Sequence, residues 1–335
     1  MRRIRQRDSG FRVAIHPVHA RQQQGSSMSK SRIEGSFVAT VTPFDSRGEI
    51  DFGAWRTLID HQHRHGTAAM LFLGSTGEPS LLSPEEKQRV IVETAKMRPP
   101  GMLFYYGCTG ASTAQVIDNV RFAAANGADG AIIAAPPYIC APETDIEQFY
   151  LDVADAADLP LGIYNNPPRV KTDLHWDQLL RLFRHPNIVV HKESTGRVGQ
   201  VAQILAAAPD VSVMCCDSPN LGLVVPTMAL GGHGTANMSG NLAPAEMAAI
   251  SKPWTGADDA AAFRERYLEL LPLLHFHYSA INPVAIKSLM RACGLPVGEL
   301  RRPLRGLSPA QVETGLEFIR TSGMGARYGY TTGTS

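Results

Sequence analysis

From residue 36 onward the chain repeats one unit, a short apolar run followed by a longer stretch carrying helix signals. Eight such runs occur, at 37–41, 70–73, 103–106, 131–135, 161–164, 188–191, 211–215 and 234–238. They recur about every 20–35 residues, a spacing typical of βα units. The runs are apolar nearly throughout, as expected of strands covered on both faces. Between them, Ser83-Pro84-Glu85-Glu86 combines an N-cap serine, a proline at the first helical position and acids in the first turn. Ser112 precedes a stripe of Val116, Val120 and Ala123. Asn126-Gly127, Gly162 and Gly231-Gly232 punctuate the units. Eight βα units predict an α/β fold, a (β/α)8 TIM barrel. Helical stretches near 258–278, 283–293 and 309–320 would form a C-terminal helical appendage. An open doubly wound sheet is the alternative, but no GxGxxG follows the first run.

The pattern divides the chain into an extension over 1–30, a barrel over 31–256, a helical region over 257–322 and a flexible tail over 323–335. The extension carries Arg2, Arg3, Arg5, Arg7, Arg12 and Arg21, then a Gln/Gly/Ser stretch with little to pack. Such an arm can be a transit peptide; we expect instead that translation begins at Met28, which leads directly into the first strand. With 335 residues, 44% hydrophobic and 19% charged, the rest has ample material for a core. A net charge of +1 gives no sign of nucleic-acid or membrane binding. No apolar run reaches the roughly 18 residues a membrane span needs. The five cysteines form neither a CxxC pair nor a zinc spacing and read as reduced cytoplasmic thiols. His61 and His65 would share a helix face without a third ligand, so a solvated face, with no metal, is expected.

In a barrel the chemistry lies where strands end at the C-terminal face. The sixth run ends in Lys192-Glu193. A lysine carried out of a buried strand is costly unless it is paired or sheds its proton, and an amine without its proton can attack a carbonyl to form an imine. It can equally end a strand with its head in water. The second run ends in Gly74-Ser75-Thr76-Gly77-Glu78, whose hydroxyls and closely approaching backbone N–H groups suit a carboxylate, although Gly and Ser also make plain turns. The fifth ends in Tyr164-Asn165-Asn166-Pro167-Pro168-Arg169. There Tyr164 could move a proton, and Arg169 could hold a second carboxylate or a sugar hydroxyl. Glu78 is expected to brace its loop. The fourth ends in Pro136-Pro137-Tyr138.

These pieces, together with Lys192-Glu193-Ser194-Thr195-Gly196, Leu230-Gly231-Gly232-His233-Gly234 and the stretch from Asn282-Pro283 through Lys287 to Pro303-Leu304, resemble the dihydrodipicolinate synthase / N-acetylneuraminate lyase family of class I aldolases. The similarity covers roughly residues 33–315, in order. The resemblance implies that Lys192 forms the imine with pyruvate or another 2-oxo acid and that Tyr164 is the general acid/base. It implies that Ser75 and Thr76, between Gly74 and Gly77, bind the carboxylate, with Ser75 relaying protons to Tyr164. It assigns Arg169 to a second substrate's carboxylate, sets Ala236 beside the imine and leaves Asn166 and Tyr138 to contact the distal part of the substrate. It further implies a cytoplasmic homotetramer that needs no metal or nucleotide cofactor.

One departure bears on the substrate. Synthases of this family carry Pro-Tyr-Tyr after the fourth strand, and the second tyrosine crosses a subunit interface to complete a relay through threonine. Counting along Pro137-Tyr138-Ile139 puts Ile139 at that position, and Ser75 replaces the threonine. On this count the chain is expected to cleave or dehydrate a 2-keto-3-deoxy acid. Condensation of pyruvate with aspartate semialdehyde is the runner-up. A non-catalytic barrel that binds a 2-oxo acid would have no reason to keep both Lys192 and Tyr164. A phosphate-sugar barrel would need a Gly-rich cradle, for which only 231–234 offers material.

Overall fold

A computed structural model describes residues 33–332. The extension over 1–30 and the start expected at Met28 lie outside the described residues. The strands β1 (Gly35–Ala39), β2 (Ala69–Phe72), β3 (Leu103–Gly107), β4 (Gly130–Ala134), β5 (Leu161–Asn165), β6 (Ile188–Glu193), β7 (Ser212–Cys215) and β8 (Gly234–Asn237) form a closed parallel barrel in sequence order, β8 pairing with β1. The (β/α)8 barrel expected from the periodicity is therefore the architecture. Helices α1 (Phe52–Arg64), α2 (Pro84–Ala95), α3 (Thr113–Ala125) and α4 (Glu143–Asp155) follow the first four strands. A short α5 (Pro167–Val170) and α6 (Trp176–Leu182) follow β5. Then α7 (Val198–Ala206), α8 (Val224–Ala229) and α9 (Pro244–Ile250) complete the outer ring. The serine caps act as expected, since the Ser83 and Ser112 hydroxyls each accept a first-turn backbone N–H.

Two apolar clusters follow from strand alternation. Phe37, Leu71, Tyr105, Ile132, Val190, Met214 and Ala236 fill the barrel interior. Residues of opposite parity pack outward on the helices, as Phe72, Phe104 and Val213 do. On β6 this parity sends Val190 and Lys192 inward and His191 and Glu193 outward.

The C-terminal region comprises α10 (Ala257–His277), α11 (Val284–Ala292) and α12 (Pro309–Thr321), close to the expected stretches. The flexible tail expected from 323 is corrected at residues 324–330. Met324–Tyr328 forms α13, and Met324 and Tyr330 are buried. The Tyr330 hydroxyl donates to Leu242 O at 2.7 Å and lies 3.0 Å from His61 Nε2. This also corrects the reading of His61 as part of a solvated face, because the tail covers it. Gly/Thr-rich composition hid the two aromatic anchors that hold the segment. No helix among the described residues is long and apolar enough to cross a membrane.

Two buried histidines predict acid sensitivity. Burial, with His65 and Arg64 nearby, lowers the His61 pKa to about 4, and burial lowers that of His277 to about 3. Both values lie below the unfolded value near 6.5, so between those limits the unfolded chain binds more protons. Their contribution is complete above about pH 6.5 and is lost as pH falls, by up to about 1.4 kcal/mol per pH unit for each histidine. Thermal melts should show a Tm clearly lower at pH 4.5 than at pH 7, with a shallower drop in His61→Gln. A Tm independent of pH over this range would contradict the burial of both rings.

Candidate active site

Lys192 is one of the last residues of β6 and only 6% exposed. In register it pairs with Tyr164 on β5 and with Met214 on β7. Its Nζ sits over the face of the Tyr164 ring, 4.4 Å from the centroid. The strand runs two residues past the expected end, with the Glu193 carboxyl hydrogen-bonded on its outer face. Glu193 Oε2 lies 3.1 Å from His191 Nε2 and accepts from Gln200 Nε2 at 2.7 Å, while Oε1 accepts the Thr195 N–H at 2.9 Å. Burial opposes ionisation of Glu193, but these partners outweigh it and hold the carboxyl below its ordinary range. The strand end is thereby pinned against α7, and Lys192 projects inward from a fixed backbone.

Tyr164 is half-buried, and its hydroxyl accepts the side-chain amide of the buried Asn166. The expected bond from Ser75 to this hydroxyl is not what the structure shows; the loop after β5 turns back on itself and presents Asn166 instead. Asn165 shapes that turn, accepting from Leu174 N and donating to Leu174 O.

The candidate carboxylate cradle lies at the end of β2. Residues Ser75–Gly77 form one 3₁₀ turn, with Gly77 N–H donating to Gly74 O at 2.8 Å. The N–H groups of Ser75 and Thr76 begin this turn and precede its first internal donor. A Cβ at Gly77 would lie 3.3 Å from Thr40 O and 3.2 Å from the Thr42 hydroxyl, which donates to Gly77 O at 2.6 Å, so only glycine fits without displacement. Thr76 is buried, Ser75 half-buried, and Ala236 belongs to the interior cluster.

Asn282, which had no assigned role, joins two parts of this site. Its Nδ2 donates to Thr76 Oγ1 at 3.1 Å, and its main-chain O accepts from Arg169 at 3.0 Å. Nearby, Cys216 follows β7 and lies 3.1 Å from the hydroxyl of Tyr278, which donates to Asp217 at 2.5 Å. Burial and Asp217 push the Cys216 thiol up, and Lys192 pulls it partly back. Local patterning offered no sign of these contacts, because Tyr278 and Asn282 lie between α10 and α11, far along the chain from the loops they meet.

Tyr138, after β4, has φ +77° and is 97% exposed; Ile139 is 64% exposed. Both side chains are exposed, Tyr138 almost fully.

A family model described as the dihydrodipicolinate synthetase family matches residues 32–318. The 4-hydroxy-tetrahydrodipicolinate synthase of Syntrophobacter fumaroxidans is 35% identical over 281 residues, covering 83% of this chain and 94% of the relative. That of Leptothrix cholodnii is 35% identical over 297 residues, covering 87% and 99%. The solved dihydrodipicolinate synthase of Aquifex aeolicus superposes with a TM-score of 0.81 at 30% identity, covering 87% of this chain and 98% of that one.

Proposed function

The chain belongs to the dihydrodipicolinate synthetase family, whose members are lyases working through a lysine Schiff base, and from that premise we propose that it condenses pyruvate with aspartate semialdehyde, as a 4-hydroxy-tetrahydrodipicolinate synthase. In this reading the Lys192 amine attacks C2 of pyruvate and water leaves, forming the imine. Loss of a C3 proton gives the enamine, whose C3 attacks the aldehyde carbon. Tyr164 carries the protons, donating to the departing carbinolamine oxygen and to the new alkoxide, and the semialdehyde's own amine then attacks C2, closes the ring and displaces the Lys192 amine. Thr76, Ser75 and the backbone from Gly74 to Gly77 hold the pyruvate carboxylate, and Ala236 lines the imine side.

The observation that carries the substrate assignment is the link through Asn282, which bonds both Thr76 and Arg169. It sets a guanidinium beside the carboxylate cradle, so the mouth offers two anion positions, as an aldehyde bearing its own carboxylate requires. Tyr138 bears on the same point. The expectation of a weak synthase rested on Ile139 at the crossing position, whereas Tyr138 is the more exposed of the two and bears the hydroxyl. We assign it to that role in a homo-oligomer, expected to be a tetramer, and read the five free cysteines as those of a cytoplasmic enzyme. Asn166 beside Tyr164 favours the second reading, a 2-keto-3-deoxy acid, since an amide suits a sugar hydroxyl.

A coupled assay with pyruvate and aspartate semialdehyde, run beside a panel of 2-keto-3-deoxy acids, separates the two. The synthase reaction should be the faster. Arg169→Ala should raise KM for the semialdehyde about 10–100-fold, the worth of a charged hydrogen bond, and leave pyruvate binding nearly unchanged. Faster turnover of a sugar acid, or an unaltered KM in the variant, would transfer the assignment to the second reading.

A further inference from the structure

Directly behind the cradle lies an ion pair that the reaction does not use. Lys287 of α11 is 1% exposed and Glu78, the residue after the cradle, is 2% exposed. Lys287 Nζ donates to Glu78 Oε1 at 2.7 Å and to Thr42 O at 2.8 Å, and sits 4.2 Å from the centroid of the Phe44 ring. Thr42 is the same residue whose hydroxyl donates to Gly77 O. The second Glu78 oxygen accepts the Arg301 N–H at 2.9 Å, and the Arg301 guanidinium pairs with Glu86 and lies over the same Phe44 ring. Glu78 holds φ +56°, a left-handed conformation that a non-glycine residue adopts only when its surroundings impose it. That conformation caps the cradle turn and starts the next, Pro79–Leu81.

A buried ion pair is a poor source of stability, because desolvation of both ions offsets their attraction; what it can supply is a defined geometry. We infer that the Lys287–Glu78 pair is a positioning device for the substrate carboxylate, through which α11 sets pyruvate affinity without touching the substrate. The inference rests on residues 74–77 being the carboxylate cradle. Loss of either charge leaves the other buried and unpaired, and the least costly relief is rotation of Glu78 out of its left-handed conformation. That rotation would pull Gly77 and Thr76 out of place while Lys192 and Tyr164, on β6 and β5, stay where they are.

The device carries a pH signature. Burial lowers the Lys287 pKa to about 8, with Glu78 pulling it back upward, Arg301 lowering it and Glu299 raising it. Arg301 and Glu86 remain charged throughout this range. As pH rises through about 8, Lys287 loses its proton and Glu78 is left uncompensated, so KM for pyruvate should rise above pH 8. An imine-forming amine gives the opposite trend, since alkali favours its reactive form.

The test measures KM and kcat for pyruvate between pH 6.5 and 9.5 in the full chain and in Glu78→Gln and Lys287→Arg. The native enzyme should show the alkaline rise in KM. Glu78→Gln should raise KM about tenfold or more at neutral pH, change kcat at saturation less than about threefold and abolish the alkaline rise, because deprotonation of Lys287 then leaves no carboxylate uncompensated. Lys287→Arg, which keeps its charge, should abolish the rise; should the larger guanidinium prevent folding, the native and Glu78→Gln profiles decide. Borohydride trapping at saturating pyruvate is run on each protein. Trapping on Lys192 with a flat native KM profile, or with a rise that persists in Glu78→Gln, overturns the inference and leaves the enzymatic reading intact. Absence of trapping in the native enzyme overturns that reading itself.

Discussion

Lys192→Ala should eliminate turnover, with kcat lower by about 10⁴-fold or more, as when a covalent nucleophile is removed. Incubation of the native protein with pyruvate and borohydride should add one reduced pyruvate per chain, mapped by peptide mass to Lys192, and the variant should add none. The expectation follows from an amine that is nearly fully buried, held by a strand end pinned to α7, and facing the ring of Tyr164. Of the two buried lysines discussed, Lys287 is occupied by Glu78 and Thr42, so an adduct on Lys287 would show that the roles of the two have been exchanged. Unreduced activity in Lys192→Ala would remove imine chemistry from the mechanism.

Tyr164→Phe should lower kcat about 10²–10⁴-fold, the usual contribution of a positioned acid/base group, while borohydride still traps pyruvate on Lys192, more slowly. The phenyl ring keeps the surface under Nζ, so the amine stays in place and only the proton carrier is lost. Asn166→Ala supplies the complementary measurement. It removes the donor to the Tyr164 hydroxyl and should reduce kcat less than Tyr164→Phe does. Near-normal turnover in Tyr164→Phe would move proton transfer to another group, with Tyr138 of a neighbouring copy the first to examine.

Much of the site was legible because a barrel makes it so. Once eight apolar runs are counted, a polar residue at the end of a run must lie at the C-terminal face. Lys192, Tyr164, Thr76 and Arg169 were singled out as candidates on that basis, and the structure sets Lys192 beside Tyr164 and links Thr76 to Arg169 through Asn282. Ser75 was found too, but its expected bond to Tyr164 was not, because the conformation of the β5 loop decides which side chain reaches that hydroxyl. Counting along Pro137-Tyr138-Ile139 likewise fixes an order of residues and not a direction; Tyr138 has a positive φ, and both it and Ile139 are exposed.

What the sequence by itself determined are the properties carried by local periodicity: the number of strands, their parallel order and the caps of α2 and α3. These depend on neighbours a few residues apart, where the pleat and the helical repeat leave a regular trace. What only the tertiary structure decided are contacts between residues far apart in the chain. Thr76 meets Asn282 across 206 positions, Glu78 meets Lys287 across 209, and His61 meets Tyr330 across 269. Each joins a polar residue to a partner that makes its burial tolerable, and a partner supplied by another element leaves no periodic signal beside it. The barrel could therefore be read from the chain, while the contacts of Lys287 and Asn282 with Glu78 and Thr76 became visible only once closure brought α11 to the end of β2.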